Sequence, residues 1–322
     1  MDMNYAEFAS DLPLNDRISF SSPEENEEIM RRYGINQQVR QLGKGGFRAE
    51  CAMLDTRHAI LSADRFSQAC SVYLEPPQGM VVFLMFRSAG GQVLASGETV
   101  ANDKLIVLPD GSETDIVSPE LAGSDAVVLP VSRYSELMEV LCPRCERPNA
   151  LAVFNGDTQR LHVIRDTLLK AMQGPAFDEN DETIPIMVAQ MISWIGQSYA
   201  GLRPEVFNKK QSRIHIAKQV QAYIEEHYQE NVRIEDLCRA TGKEVRTLQT
   251  CFRRYFDMTI TDYLKMVRLN STFRVLSSVH LGEATVTSVA LRNGFTHLGR
   301  FSVEYRKYFG ESASETLLRR KS

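Results

Sequence analysis

No apolar run in this 322-residue chain approaches the ~18 residues a membrane-spanning helix requires; the longest, Met80 to Phe86, stops far short. The opening MDMNYAEFAS has neither a basic stretch nor an apolar one, so it does not read as a secretory signal. Cysteine is sparse: six residues, scattered at 51, 70, 142, 145, 238 and 251, fit a reducing compartment better than a disulfide framework. These features predict a cytoplasmic protein with no membrane partner. Catalytic signatures are missing too. There is no GxSxG, no HExxH and no complete Walker loop, and the six histidines are widely spread. Cys142-Pro-Arg-Cys145 is a lone CxxC without a second pair or a histidine at ligand spacing. The expectation is therefore no enzyme, no metal and no cofactor.

What is present is uneven in charge. The net charge is −4, from 37 Lys+Arg and 41 Asp+Glu. From Arg213 onward there are 18 basic and 12 acidic residues, a balance of +6; the remainder holds 37 − 18 = 19 and 41 − 12 = 29, a balance of −10. A basic end on an acidic body predicts that the end alone meets a polyanion. Chance partition of surface charge is the competing reading.

The length allows two domains at ~150 residues each. Residues 1 to about 30 are polar and acidic and read as a loose lead-in. Short β-rich runs follow at Phe47–Leu54, Ser71–Leu74, Met80–Phe86, Gln92–Ser96, Lys104–Leu108 and Ala126–Pro130. Turn signals part them: Pro76-Pro77, Gly90-Gly91, Asn102-Asp103 and Asp110-Gly111. That spacing predicts a β-rich barrel or sandwich. Helical periodicity then takes over at Asp157–Met172 (Leu161, Ile164, Leu168) and Ile184–Tyr199 (Met187, Met191, Trp194), serving either the core or a homodimer seam. The fold class expected is α+β: residues 1–200 a β-rich regulatory domain with terminal helices, 201–213 a linker, and 214–322 an all-α domain.

The carboxyl-terminal stretch contains one plan twice. In residues 232–256 (VRIEDLCRATGKEVRTLQTCFRRYF) Ile234, Leu237 and Cys238 form the apolar face of a short helix. Gly242 sits at the turn, and a second helix points Leu248 and Phe252 inward. Its other face carries Arg246, Thr247, Gln249, Thr250, Arg253 and Arg254. In residues 285–310 (TVTSVALRNGFTHLGRFSVEYRKYFG) Val286, Val289 and Ala290 face inward, Gly294 turns, and Phe295, Phe301 and Tyr305 anchor the second helix. Thr296, His297, Gly299, Arg300, Ser302 and Arg306 face outward. Two helix-turn-helix units are thus predicted, joined by a helix over Ile260–Leu276. Seventeen residues at 1.5 Å span roughly 26 Å, enough to bring both units near successive major grooves ~34 Å apart.

This stretch resembles the AraC family of transcription regulators from Ile214 to Leu318. The matching words are Arg246-Thr247-Leu248-Gln249, Phe252, Arg253 and Phe256, then Tyr263-Leu264 and Arg268-Leu269. They continue with Val289-Ala290, Gly294-Phe295, Phe301-Ser302, Tyr305-Arg306-Lys307 and Phe309-Gly310. Asp257 stands where glycine is usual, Ile260 and Ala313 where prolines are, and Glu244 where a serine caps the first reader. The resemblance implies double-stranded DNA as partner, contact with RNA polymerase and activation controlled by a small-molecule effector in the amino-terminal domain. An effector-independent protein whose amino-terminal domain only dimerises or touches polymerase is the alternative. By the resemblance, Arg246, Gln249 and Thr250 meet base edges, which suits Arg on guanine, Gln on adenine and Thr on a thymine methyl. Arg253 and Arg254 are expected on phosphate, and Thr296, His297, Arg300 and Ser302 are the polar candidates of the second reader. Leu298, Gly299 and Val303 lie near its base-facing line but cannot hydrogen-bond through their side chains, so this reader is expected to discriminate bases less. For each residue the competing reading is a solvated helix face.

In the amino-terminal part, VRQLGKGGFRAE (39–50) repeats cations at Arg40, Lys44 and Arg48 around three glycines, with Arg57 and Arg65 on nearby runs. Open, such a loop would bind phosphate, as on a cyclic dinucleotide effector. A solvated basic turn is the other reading.

Overall fold

The computed structural model describes residues 4–12, 17–100, 104–143, 151–155, 158–173, 182–201, 205–206, 211–278 and 284–319. Its amino-terminal elements are α1 (Tyr5–Phe8), β1 (Arg17–Phe20), α2 (Pro23–Arg32), β2 (Asn36–Gln41), β3 (Ala49–Asp55), β4 (Ile60–Phe66), β5 (Cys70–Glu75) and β6 (Met80–Ser88). Next come β7 (Val93–Ala95), β8 (Glu98–Val100), β9 (Lys104–Leu108), β10 (Thr114–Ser118), β11 (Ala122–Pro130), α3 (Val131–Leu141), β12 (Ala152–Asn155), α4 (Thr158–Gln173), α5 (Thr183–Gly201) and β13 (Glu205–Val206). The helices α6 (Gln211–His227), α7 (Ile234–Thr241), α8 (Val245–Phe256), α9 (Ile260–Ser278), α10 (Val286–Arg292), α11 (Leu298–Phe309) and α12 (Ala313–Arg319) complete the chain.

The strands form two open sheets, β1-β3-β4-β11-β6-β9-β12-β13 and β2-β5-β10-β7-β8, so the expected barrel or sandwich resolves as a sandwich. Strand periodicity explains how it packs. Along β6, Val82, Leu84 and Phe86 face the second sheet, while Val81, Phe83 and Met85 face the other way. The outward set is covered by α3, α4 and α5, which is why Met80–Phe86 is apolar without alternation. Ile164, Leu168, Met187 and Met191 are spent on this cluster, so their stripes serve the chain's own core and not a homodimer seam. Leu161 and Trp194, predicted on the same stripes, have side chains outside the described set.

The lead-in is structured. Ser22 caps α2, whose Pro23, Asn26, Glu27 and Met30 are buried. Its acidic composition reads as solvated, yet Glu27 accepts from the Val39 amide at 2.8 Å and pairs with Arg274 at 3.3 Å. The expected linker is also partly ordered: Glu205–Val206 pairs with β12, and α6 starts at Gln211. The rest of 202–210 lies outside the described residues, as do Cys145 and the Asn102-Asp103 turn. Among the described residues no helix is long and apolar enough to cross a membrane.

The outer face of the five-stranded sheet packs on the carboxyl-terminal helices. Val117 on β10, with Leu42 and Leu94, joins the cluster of Phe252, Phe256, Tyr263 and Leu276. Polar ties reinforce the junction. Asp115 accepts from the Tyr255 hydroxyl at 3.0 Å and pairs with Lys218. Glu225 takes Arg40 at 2.9 Å and the Tyr263 hydroxyl at 2.8 Å. Alternation along β10 thus puts Ile116 inside the sandwich and its neighbours Asp115 and Val117 against the helices.

Candidate nucleic-acid interface

Each reader is built by a helix, a glycine corner and a second helix. α7 ends at Gly242 in the left-handed region (φ 65°), which closes the helix through a bond to the Cys238 carbonyl. After α10, Gly294 has φ 81°, and a Cβ there would lie 2.9 Å from both Arg268 Nε and the Tyr228 carbonyl. Gly294 is thus required twice, by its backbone and by the close approach of Arg268, which donates to Tyr228 O and Glu230 O at 2.7 Å.

The departures from the family words have structural consequences. Asp257, in place of glycine, is itself left-handed (φ 53°) at the end of α8. Ile260 and Ala313 occupy the first helical positions of α9 and α12, where proline's fixed φ suits a helix start. Glu244 caps α8 without any side-chain hydrogen bond.

Ring contacts fix the two readers to the spacer, the first through Tyr263 and the second through Phe273, which stacks on Phe309 at 4.7 Å. Phe252, Phe256 and Tyr263 meet with centroids 4.6–5.1 Å apart, and Phe295, Phe301, Tyr305 and Phe309 form a second chain of rings at 4.7–5.5 Å. The spacer α9 is 19 residues, longer than the 17 read from sequence, and spans roughly 28 Å. It buries most of its circumference, because both readers and the β2 strand pack on it; Asn270 donates to Gln41 O at 3.2 Å.

Against this frame the reader faces are open. Arg246, Gln249, Thr250, Arg253 and Arg254 are exposed along α8, and Thr247 is half-buried. On the second reader Thr296, His297, Arg300, Ser302 and Arg306 are exposed; Arg300 pairs with Glu304 at 3.1 Å, and Ser302 donates to Leu298 O. Burial falls on the opposite side, at Leu248, Phe252, Phe301 and Tyr305.

The five cations proposed for an effector phosphate do not meet. Arg65 is fully buried between Asp125 (2.9 Å) and Asp11 (2.8 Å), and Arg165 also pairs with Asp125 at 2.9 Å. Arg40 is held by Glu225. Lys44, Arg48 and Arg57 are exposed, with Arg48 and Arg57 at opposite ends of β3, roughly 20 Å apart. The glycine loop is not an open amide nest either. Gly45 N–H donates to Tyr308 O at 2.8 Å, Gln41 Nε2 donates to the same carbonyl at 3.0 Å, and Gly43 N–H donates to Ala69 O. The Gly45 amide and the Gln41 side chain close the end of α11, and a Cβ on Gly310 would sit 3.1 Å from Gly46 N. The phosphate loop expected from sequence is thus a seat for the second reader. Sequence periodicity missed this role, because the carbonyl that uses the loop lies 263 residues away (308 − 45).

A cavity of about 60 Å³ lies between the sheets, room for a handful of waters. Its lining is mostly apolar, with Gln37, Ser62, Asp64, Ser118 and Ser124 as polar exceptions, and it holds no Lys, Arg or His among the described residues. Asp64 Oδ1 is buried without a partner. Burial pushes this carboxyl up to about 7, with Arg65 opposing and Asp125 adding to the shift. A cyclic dinucleotide is too large and too negative for this space. Among the described residues no group of three His, Cys, Asp or Glu is placed to hold a metal, and Cys142 Sγ donates to Ile192 O at 3.3 Å.

Residues 237–319 match a family model described as a helix-turn-helix domain. The XylDLEGF operon transcriptional activator 1 of Pseudomonas putida is 31% identical over 136 residues, 42% of this chain and 39% of that protein. A probable thc operon regulatory protein of Rhodococcus erythropolis is 27% identical over 206 residues, 63% of this chain and 54% of its own. The chain thus spans about half the length of these curated relatives, or less. A solved structure, that of a probable AraC family transcriptional regulator from Rhodopseudomonas palustris CGA009, is 36% identical over 34% of this chain and 99% of its own, with a TM-score of 0.32. Both curated relatives are named as regulators of operons. The twin glycine corners and the family match that runs through both of them make residues 237–319 a helix-turn-helix domain of the AraC family.

Proposed function

We propose that the chain is a sequence-specific, DNA-binding transcription regulator, reading double-stranded DNA through α8 and α11 in successive major grooves. The observation that carries this is the paired exposure of two reader faces on one buried spacer. Arg246, Gln249 and Thr250 supply hydrogen-bonding and methyl-contacting groups for base edges, while Arg253 and Arg254 hold phosphate. A DNA partner supports a cytoplasmic location, alongside the genome. Activation is supported by the names of the Pseudomonas putida relatives, and contact with RNA polymerase is the means we propose for it. The cation-free, mostly apolar cavity supports a small, uncharged effector in place of a phosphate-bearing one.

Selection of bound genomic fragments with the full chain tests the reading, followed by titration of Arg246→Ala on the selected site. The variant is expected to lose ~1–3 kcal/mol there and to relax preference at one base pair. Equal loss on every sequence would make Arg246 a phosphate contact. No selective enrichment would end the proposal. An effector is tested separately: a metabolite that binds only the native state must raise the melting temperature.

A further inference from the structure

We infer that the second reader recognises thymine through an apolar ridge, Gly299 and Val303, an inference that rests on the DNA-reading role proposed above. Val303 is 68% exposed, well beyond the other exposed large hydrophobics of the carboxyl-terminal helices, Val245 (40%), Leu291 (52%) and Leu318 (49%). The residues that bury α11 are Phe301, Tyr305, Tyr308 and Phe309. At roughly 100° per residue, Val303 points opposite their mean direction, and Gly299, one turn earlier, lies beside it. Neither choice serves the fold. A Cβ on Gly299 would have nothing within 4 Å, and the residue lies within α11 without a left-handed backbone. Alanine would therefore fit and would favour the helix. Val303, exposed and β-branched, gains neither burial nor helix propensity.

Both choices make sense against a surface outside the chain. A helix that lacks a side chain at one outward position approaches a groove floor more closely there. An aliphatic side chain one turn on then meets an apolar group. In the major groove only thymine offers one, its C5 methyl. Arg300, Arg306 and Lys307 are exposed around the ridge, which suits the phosphates on either side of a groove and favours DNA over a protein occupant. The first reader differs: its outward line carries Arg246, Gln249, Thr250 and Arg253, all polar. The two readers thus divide the work, one by hydrogen bonds and one by methyl contact. The second is not merely a phosphate anchor.

The test uses the full chain and an operator duplex obtained by selection with it. Each thymine in the half under the second reader is replaced singly by deoxyuridine, which removes only the methyl. Wild type is expected to lose about fourfold in affinity at one or two positions, the worth of one buried methyl group. Val303→Ala should lose nothing further at those positions. Gly299→Ala should melt no lower than wild type yet bind about fivefold or more weakly, as for a mismatched base pair. Uracil tolerated at every position, or a Gly299→Ala protein that binds as wild type does, overturns the inference. So does a Val303→Ala protein that keeps its DNA affinity but fails to activate transcription, since the ridge then faces a protein. If the wild-type chain shows no sequence selectivity at all, the DNA-reading proposal itself falls; the ridge alone falls if selectivity persists without methyl dependence.

Discussion

Truncating Asp115 to alanine should loosen the first reader from the β-sandwich without unfolding either. Asp115 is 1% exposed on β10, and its Oδ2 accepts from the Tyr255 hydroxyl at 3.0 Å while pairing with Lys218. One carboxylate therefore ties a strand to two helices, α6 and α8. Its loss takes the carboxylate acceptor from the buried Tyr255 hydroxyl, at a cost of ~1–3 kcal/mol. Lys218 is 25% exposed and can turn to water, so its share is discounted to ~0–1 kcal/mol. The sum, about 1–4 kcal/mol, lies mostly below the ~3–5 kcal/mol of a fully buried pair broken on one side. Tyr255→Phe alone leaves Lys218 to neutralise Asp115 and should cost less, about 1–2 kcal/mol. Combined in a cycle, the two substitutions should show a coupling of ~1–2 kcal/mol. Urea denaturation of the full chain at neutral pH measures all four proteins. An Asp115→Ala protein within ~0.5 kcal/mol of wild type would refute the reasoning, because a surface change costs no more than that.

Other substitutions probe the readers and the cavity. Glu244→Ser should supply the missing cap on α8 and stabilise the protein by ~1 kcal/mol in the same denaturation assay. Asp257→Gly should relieve a left-handed aspartate and stabilise by up to ~1 kcal/mol, visible as a higher melting temperature. The Asp64 carboxyl is pushed up to about 7 from a free value of 3.8, so the folded state holds its proton longer than the unfolded state does. Its contribution to stability is present below about 4 and is lost as pH rises towards about 7. Asp64→Asn should remove that decline from a stability-versus-pH series; an unchanged slope would mean that Asp64 is hydrated and ordinary.

The readers were legible in sequence because their constraints are local. A glycine at each corner, rings at i and i+4, and a polar outward face can be read within twenty-five residues, and Gly242 and Gly294 stand at sharp turns as expected. The strands with strongly apolar text, such as β6 and β9, were legible for the same reason. What escaped was anything decided by a distant partner. Asp115, Lys218 and Glu225 look like solvent-facing residues, and only the docking of the helices on the outer sheet buries or pairs them. Arg40 and Arg65 look like anion ligands until their carboxylates, at Glu225 and at Asp125 and Asp11, arrive from elsewhere in the chain. The α2 helix was hidden by its own acidity, since Glu27 becomes buried only against β2 and Arg274.

Hydroxyl-radical footprinting of the full chain on its selected operator bears most directly on the twin-reader claim. Two protected patches centred about one helical turn apart are predicted, on one face of the duplex. Arg246→Ala should weaken the first and Arg300→Ala the second. One continuous patch, or both patches lost together with either substitution, would contradict it.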